Sequence, residues 1–432
     1  MAKLSERDLA LLSSLMYCDE AASTKYHNEK VSVLVDYLLK ETEGNVLGKT
    51  KELRITGDFN GIRRAIGDEV GKALEKRIGK LGIRGVINYA DIIARDAVAM
   101  AAKKVKAATG VKMGGDIVAL IAIELKKGAG KKASEKAGIY FAAKAFRELL
   151  HEIKESPALR ELTIVTSVIR PLDSKKDVSA VCFVDDANNA TVAFRGTDNS
   201  YKEWYDDFEG AGIDLATPMQ EAAKKFVEDL TALNPQYNNI TVTGHSKGGN
   251  MAAYVTVLCA NVTNCVSFDG QGFNEMFLAR YALLVAANWK NIKTISSDKD
   301  KVNTFLISIG KKYYVKTDGA GFSSAHFMLY LIFGSDEKGH LDFNKEGDFF
   351  DKNKDYAHFV WQHPLTTVIR FVADGLVLRL PPFLKRDSRT PRALSLRGCL
   401  ATNLWMKTMC GTSVKTPLSV FWSLCLHPSL QY

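Results

Sequence analysis

The sequence has no run of about 18 uncharged apolar residues, the minimum that a membrane-spanning helix needs. Its longest apolar candidate, residues 117–125, is too short and contains Glu124. The N-terminus also lacks the apolar core of a secretory signal peptide. These two absences predict a cytoplasmic protein and leave open secretion by a non-classical route.

Cysteine is present in a form that suits neither a disulfide framework nor a zinc site. The seven cysteines form no C-x-x-C pair, and no histidine lies near them at ligand spacing. Reduced thiols in a reducing compartment fit this pattern best. We therefore expect no metal, and no motif suggests an organic cofactor.

Charge is uneven along the chain, whose net value is +9. Residues 51–150 hold 21 Lys and Arg against 11 Asp and Glu, and no acidic residue follows Asp387. The basic segment is mostly Ala, Gly, Ile and Lys, without the aromatic residues usual in nucleic-acid binders. It predicts no nucleic-acid partner but a solvated helical face, or one that touches anionic membrane. Nothing in the sequence indicates the oligomeric state.

The chain divides into four segments that differ in composition and in the spacing of apolar residues. Residues 1–47 show helical spacing of apolar residues, and 48–158 is a basic helical insertion interrupted by glycines. Residues 159–379 alternate strands with helices, which predicts an α/β fold with a mostly parallel sheet covered on both faces. The stretch 380–432 is basic and shows no periodicity. We predict that this tail is disordered or comes from a shifted reading frame or a cloning junction.

The strongest motif is the run 244–248, which has the pattern G-x-S-x-G around Ser246. It follows the predicted strand 240–243 and precedes an apolar helix, which is the context of a nucleophile elbow in an α/β-hydrolase. A serine in such a sharp turn takes strained backbone angles, so Gly244 and Gly248 leave it the room it needs. The helix that starts there points free N–H groups at an oxyanion, and Lys247 would supply one of them.

A second motif lies upstream, where the strand 191–194 ends in Arg195, Gly196 and Thr197. Together with the elbow, this loop resembles that of the class 3 lipases. The resemblance implies that Thr197 completes the oxyanion hole with its N–H and hydroxyl. We expect Arg195 to hold the loop by pairing with an acid such as Asp206 or Asp207.

The chain also resembles a bacterial family of class 3 lipase-like proteins whose activity is mostly inferred. Members carry Gly-His-Ser-Lys-Gly-Gly at the elbow, as residues 244–249 do, and a following strand that ends in Phe-Asp-Gly, as 268–270 do. They begin with a helix near a Tyr-rich turn, which residues 11–17 resemble. The resemblance covers roughly 5–45 and 160–375, without the basic insertion or the tail.

A serine nucleophile needs an acid and then a histidine further along the chain. We choose Asp300 as the acid. It lies in a loop after the predicted strand 292–295, and this loop resembles the acid loop of class 3 lipases. The alternatives are Asp298 and Asp269. For the base we choose His326, which precedes an apolar stretch, as the histidine of the related family does. The other histidines after the acid are His340, His358, His363 and His427, of which His358 and His363 are the alternatives. We expect His245 to pack rather than react.

These residues predict a serine carboxylic ester hydrolase, a lipase or esterase, that acts on an ester or lipid substrate through an acyl-enzyme. The segment 48–158 could then be a lid or an acyl-binding cap. Two alternatives stay open. One is a non-catalytic, membrane-associated or interaction protein that keeps the hydrolase fold, and the other is a phospholipase or thioesterase with the same nucleophile.

Overall fold

The computed structural model describes most of the chain up to residue 332. The described residues are 4–43, 55, 58–78, 90–109, 115–127, 129–170, 177–197, 215–237, 239–297, 300, 302–304, 306–315, 326–328 and 332. All of them belong to one compact unit, Met1–Arg379. The predicted tail lies outside the described residues. Within the described part of the chain, no helix combines the length and the apolar character needed to cross a bilayer.

All the long elements described in the first 160 residues are helices. A capping box of Ser5 and Asp8 starts the first helix, because the Ser5 hydroxyl accepts the Asp8 N–H and the Asp8 carboxylate accepts the Ser5 N–H. The helices of this part are α1 (Glu6–Leu15), α2 (Val31–Glu41), α3 (Asp58–Ile78), α4 (Ala90–Thr109), α5 (Gly115–Lys126), α6 (Gly130–Glu155) and α7 (Pro157–Arg160). Two short 3-10 turns, Asp19–Ala22 and Thr24–Tyr26, link α1 to α2.

The rest of the described chain forms a seven-stranded sheet in which the strands follow one another in chain order. The strands are β1 (Thr163–Val168), β2 (Ala180–Val184), β3 (Ala190–Phe194), β4 (Ile240–His245), β5 (Val262–Phe268), β6 (Ile292–Ser297) and β7 (Lys311–Val315). β1, β2 and β3 pair antiparallel, and the pairs from β3 to β7 are parallel. The connecting helices are α8 (Pro218–Leu233), α9 (Lys247–Leu258), α10 (Glu275–Arg280) and α11 (Ala282–Asn288).

The sequential strand order decides how the sheet is covered. Crossovers between parallel neighbours have one hand, so connections that always step in the same direction put their helices on the same face. Residues of α8 to α11 accordingly form one core with every second residue of the strands, such as Cys182 and Val192. The alternate residues, such as Val181 and Phe183, face the other way and pack in a core with α1 to α7.

The N-terminal helices therefore fill the face that the crossovers leave bare. α1 lies directly against β3, β4 and β5, and α6 packs behind it on α1 and α2. α3, α4, α5 and α6 contact one another in sequence, and α3 also packs along α6. The expectation that 48–158 is a lid or cap stays a prediction.

The strands and helices predicted from residue 159 onward are largely present. The glycines expected to interrupt the helices of 48–158 do not all do so, because Gly61, Gly67 and Gly71 lie inside α3 and Gly138 lies inside α6. β2 and β3 form a hairpin, and α9 begins at Lys247, directly after Ser246. Between β5 and β6 the chain forms two short helices, α10 and α11, that meet at Tyr281. The predicted mixed α/β fold with a mostly parallel sheet is confirmed. The four described cysteines, Cys18, Cys182, Cys259 and Cys265, are buried free thiols.

Candidate active site

Ser246 lies at the turn between β4 and α9, at the carboxyl edge of the parallel strands. Its backbone angles, φ 57° and ψ −124°, fall where a residue with a side chain is strained. The turn is held from both sides, because the Ser246 N–H donates to the Phe268 carbonyl over 2.9 Å and the Ser246 carbonyl accepts the Asn250 N–H over 3.1 Å. The strained turn expected of an elbow is thus present at this serine.

Gly244 and Gly248 make this turn possible by having no side chains. A Cβ at Gly244 would lie under 3.0 Å from the backbone of Gly248, and one at Gly248 would lie that close to the Phe194 carbonyl oxygen. Such distances are essentially never seen for real Cβ atoms. The two glycines let the first turn of α9 approach β3 and β4 directly, which fits their predicted supporting role.

Asp300 and His326 lie together, 26 residues apart in the sequence. The Nδ1 atom of His326 is 2.9 Å from Oδ1 of Asp300. The Asp300 side chain is fully buried, whereas the His326 side chain keeps 15% of its surface exposed. A buried acid beside a partly exposed imidazole is the arrangement in which an acid can fix the tautomer of a histidine.

The environment of Asp300 favours its charged form. Burial alone would raise the pKa of Asp300, but the positive charge and hydrogen bond of His326 outweigh it, and the pKa lies below its ordinary value. The N–H groups of Val302 and Asn303 also donate to the carboxylate, over 3.0 and 2.8 Å. The Asn303 side-chain amide adds a third donor at 2.7 Å. Asp300 is therefore an anion held in one orientation.

Of the alternative acids and bases, only Asp269 lies among the described residues. Asp298, His358 and His363 lie outside the described residues. Asp269 is buried just past the end of β5, where its Oδ1 accepts the Ser297 N–H over 2.8 Å. Its Oδ2 lies 4.0 Å from Nε2 of His245. Asp269 thus ties the ends of β5 and β6 together, as a structural turn residue would.

The predicted oxyanion-hole residues lie past the ends of neighbouring strands. Thr197 follows β3 and is 7% exposed, and Lys247 opens α9 after β4 and is 1% exposed. Because β3 and β4 are parallel neighbours, both residues come to the same edge of the sheet. The first N–H groups of a helix have no partner within that helix, so α9 presents donors here. The oxyanion roles of Thr197 and Lys247 stay predictions.

Arg195 has a partner that the sequence did not indicate. Its guanidinium lies 2.5 Å from Oδ1 of Asp19, and both side chains are buried, at 4% and 9% exposure. The expected partners Asp206 and Asp207 lie outside the described residues. The loop after β3 is therefore tied to the N-terminal segment, 176 residues away in the chain.

The end of α1 and the turn after it contact β4 beside Ser246, which sequence reasoning missed. The hydroxyls of Ser13 and Thr243 lie 3.0 Å apart, and the Tyr17 hydroxyl lies 2.7 Å from Nδ1 of His245. The family resemblance included the stretch around Tyr17, but no local pattern marked its contact. A lone tyrosine near a helix end carries no periodicity that would single it out.

One group of side chains could be considered for a metal ion. Ligand atoms of His245, Asp269 and His326 all lie within 4.8 Å of one another. Both histidines are already engaged there, because Nε2 of His245 is 2.9 Å from the His326 carbonyl oxygen and Nδ1 of His326 bonds to Asp300. Tetrahedral zinc sites need free nitrogens about 2.0–2.1 Å from the ion. The prediction that no cofactor is required stays open to test.

One comparison with known proteins finds a similar protein family. A family model described as Mbeg1-like, a lipase-like family, matches residues 153–351, somewhat less than half of the chain. The matched stretch contains all seven strands together with Ser246, Asp300 and His326. The chain is thus similar to a lipase-like family in the part that carries the candidate site.

The other comparisons add little. No curated protein matches the chain. The solved structure of a Rhizomucor miehei lipase propeptide complex, in its native form, aligns with a TM-score of 0.28 and 17% identity over 38% of this chain. The alignment spans 60% of that structure's chain, so less than two thirds of its length is covered. A likeness of this size carries no argument by itself.

Proposed function

We propose that this protein is a serine carboxylic ester hydrolase of the α/β-hydrolase type, with Ser246 as nucleophile. The observation that carries the proposal is the strained turn between β4 and α9, in which Ser246 has a positive φ. A protein does not hold a serine in such a conformation without a reason, since it costs about 1–3 kcal/mol. The similarity to a lipase-like family over the same residues supports the proposal.

In the proposed reaction His326 accepts the Ser246 proton while the hydroxyl oxygen attacks the ester carbonyl. Asp300 keeps Nδ1 of His326 protonated and stabilises the imidazolium, so that Nε2 is the atom that takes up the proton. The alcohol then leaves with that proton, and the acyl group stays on Ser246. A water molecule, deprotonated by His326, releases the acid and restores the hydroxyl.

The oxyanion that forms in both steps would lie against the N–H groups of Thr197 and Lys247. One such donor contributes about 3–4 kcal/mol to lowering the barrier in comparable sites. The burial of both residues supports this assignment, because a hydrogen bond away from water stabilises the developing charge more strongly. No step needs a metal or organic cofactor.

Cysteine nucleophiles are a poor alternative among the described residues. Burial raises the pKa of the Cys18, Cys182 and Cys265 thiols to about 12 and that of Cys259 to about 11, so the reactive thiolate is scarce at neutral pH. None of the four belongs to the elbow. The serine therefore remains the nucleophile that the site supports.

The test is hydrolysis of p-nitrophenyl esters over a range of acyl lengths, with wild type and Ser246→Ala compared. We expect Ser246→Ala to lose activity by about 10⁴- to 10⁶-fold, and a fluorophosphonate probe to label wild type but not the variant. Ser134→Ala is the matched control, because that hydroxyl only bonds the Lys131 carbonyl on α6. Equal activity in wild type and Ser246→Ala would reject the proposal.

The same assay separates the substrate classes. A preference for short acyl chains indicates an esterase and a preference for long chains a lipase. Phospholipid and thioester substrates, run beside the p-nitrophenyl esters, test the phospholipase and thioesterase alternatives. If none of these substrates is turned over in a Ser246-dependent way, the alternative of a non-catalytic interaction protein is favoured.

A further inference from the structure

His245 lies beside the nucleophile with both of its ring nitrogens engaged. The residue is 1% exposed, and it ends β4 directly before Ser246. Nδ1 is 2.7 Å from the Tyr17 hydroxyl, and Nε2 is 2.9 Å from the main-chain oxygen of His326. Burial of a polar ring costs free energy unless its nitrogens are hydrogen-bonded, so these two partners also hold the imidazole in one orientation.

The identity of the partners fixes where the protons lie. A carbonyl oxygen can only accept, so Nε2 of His245 must carry the proton and donate it to His326. Burial holds the pKa of His245 well below its ordinary value, and the nearby charge of His326 adds to this, so the ring is neutral. In a neutral ring the other nitrogen is an acceptor. Tyr17 therefore donates its hydroxyl proton to Nδ1.

The two contacts of His326 hold it at separate points. Asp300 fixes the imidazole through Nδ1, and His245 fixes the main chain of the same residue through the carbonyl oxygen. The rings of His245 and His326 also lie against each other, with centroids 4.6 Å apart and planes tilted by 35°. Together the two contacts restrict both the main chain and the ring of His326.

Other charged groups near His245 do not compete for its protons. Asp269 Oδ2 lies 4.0 Å from Nε2, beyond hydrogen-bond range, and Asp300 acts on it through space. Tyr17 in turn is packed against the loop after β3, because a Cβ on Gly196 would collide with its hydroxyl. The tyrosine therefore has little freedom to leave the histidine.

We propose that His245 is a positioning residue for the catalytic base: it anchors the main chain of His326 through its Nε2–H, and Tyr17 keeps it in the tautomer that makes this bond. The inference rests on the proposed ester hydrolase function. It assigns to the second residue of the elbow motif, and to a tyrosine 228 residues away, a role in the placement of the base.

The test compares kcat and KM of three variants on the best p-nitrophenyl ester. His245→Leu removes both hydrogen bonds, and we expect kcat to fall about 10²-fold, the cost of a base misplaced by about 1 Å, with KM little changed. His245→Gln places an amide N–H where Nε2 stood and should recover most of that loss. Tyr17→Phe should lower kcat several-fold, because His245 then samples both tautomers.

Tyr26→Phe is the matched control, since it also removes a buried tyrosine hydroxyl from the N-terminal segment. That hydroxyl bonds Glu20 and touches neither histidine. Thermal melts identify any variant that fails to fold. Tyr17→Phe is nearly isosteric, so it keeps the inference testable even if His245→Leu does not fold.

A spectroscopic measurement reports on the tautomer directly. With ¹⁵N-labelled histidine, wild type should show His245 protonated on Nε2 alone, and Tyr17→Phe should show averaged signals for its two nitrogens. Wild-type kcat in a folded His245→Leu variant, or His245 protonated on Nδ1, would overturn the inference while the proposed function stands. Loss of the proposed function shows separately, as wild-type hydrolysis that does not depend on Ser246.

Discussion

The carboxyl edge of the sheet and the helical segment α3 to α6 bury opposite kinds of residues. At the edge, charged and polar groups are buried, among them Asp19, Arg195, His245, Lys247 and Asp300. In the helical segment the described buried residues are mostly alanines and larger apolar side chains, and the lysines whose burial is described are exposed or half-buried. Burial of charge costs free energy unless each group finds a partner, whereas burial of apolar surface stabilises the fold.

Among the described residues of the helical segment, one charged group is also buried, and it too has partners of opposite charge. Glu124 is buried on α5, and Lys127 and Lys136 approach its carboxylate to 3.4 and 2.6 Å. Both lysines keep their ends toward solvent, so the charge is only partly removed from water. The carboxyl edge, by contrast, surrounds its charges on all sides. We therefore expect substitutions at the edge to affect activity most and those in the helices to affect stability most.

Apart from loss of the nucleophile itself, the largest effect should come from Asp300→Asn. The change removes the negative charge beside His326 and favours the wrong tautomer, so kcat should fall by about 10⁴-fold. Steady-state kinetics on the same ester measures it. Asn303→Ser serves as the comparison, because it removes one donor to the carboxylate and keeps the charge, so its loss should be far smaller.

The same variant has a consequence for stability at acid pH. The pKa of Asp300 in the fold lies below its ordinary value, so its ionised form adds stability above the ordinary pKa, and that stability is lost as pH falls through the lowered pKa. Denaturant melts between neutral pH and about pH 3 should show a shallower loss for Asp300→Asn than for wild type. A parallel loss would contradict the assignment of this carboxylate as an anion.

Next in size is Arg195→Met, which breaks the buried pair with Asp19. A buried carboxylate that loses its cation destabilises the fold by about 3–5 kcal/mol. The loop that carries Thr197 should also lose its anchor, so activity should drop as well. Urea unfolding and the ester assay measure the two effects.

The double variant Arg195→Met with Asp19→Leu is the control for that pair. Replacement of both charges by apolar groups is often neutral for stability, so it should recover most of the lost free energy of unfolding. A single variant as stable as wild type would mean that the pair does not stabilise the loop.

In the helical segment, Phe146→Ala should lower stability without lowering activity. Phe146 is fully buried on α6 and meets Phe59 edge to face, with ring centroids 5.3 Å apart. The cavity should cost about 3–5 kcal/mol, with an unchanged kcat for the folded enzyme. Ile123→Ala, at a position 50% exposed on α5, should cost much less. A large drop in kcat would instead mean that the helical segment helps to position the active site.

The smallest effect on the fold should come from the joint change of Lys131 and Lys132 on α6 to Gln. Both are exposed, so the free energy of unfolding should change by less than about 0.5 kcal/mol. If the basic segment touches anionic membrane, partition onto phosphatidylserine vesicles should fall, since each such charge contributes about 1 kcal/mol. Lys225→Gln, on α8, is the control outside the segment, and unchanged partition would reject the membrane contact.

Much of the fold and part of the site were predictable, because the signals are local. The succession of strand and helix segments predicted the α/β fold, and the elbow motif predicted the turn at Ser246 from five adjacent residues. Asp300 was chosen because its loop resembles the acid loop of class 3 lipases. His326 was chosen because it precedes an apolar stretch, as the histidine of the related family does, and the structure brings the two side chains to 2.9 Å. Their catalytic roles stay predictions until the variants are measured.

What the sequence could not predict depends on pairs far apart in the chain. Arg195 was expected to meet a nearby acid, but Asp19 reaches it because α1 lies across the strands. Tyr17 and His245 are a second such pair. No periodicity links residues about 200 positions apart, since their meeting depends on how whole helices pack on the sheet.

The sequence by itself determined which residues are candidates for the reaction and which local turns present them, because backbone strain and glycine spacing act over a few residues. The tertiary structure decided which partners those residues have, and in which protonation state they are held. Burial and the geometry of hydrogen bonds set that state, and both exist only once the N-terminal helices close over the face that the crossovers leave bare.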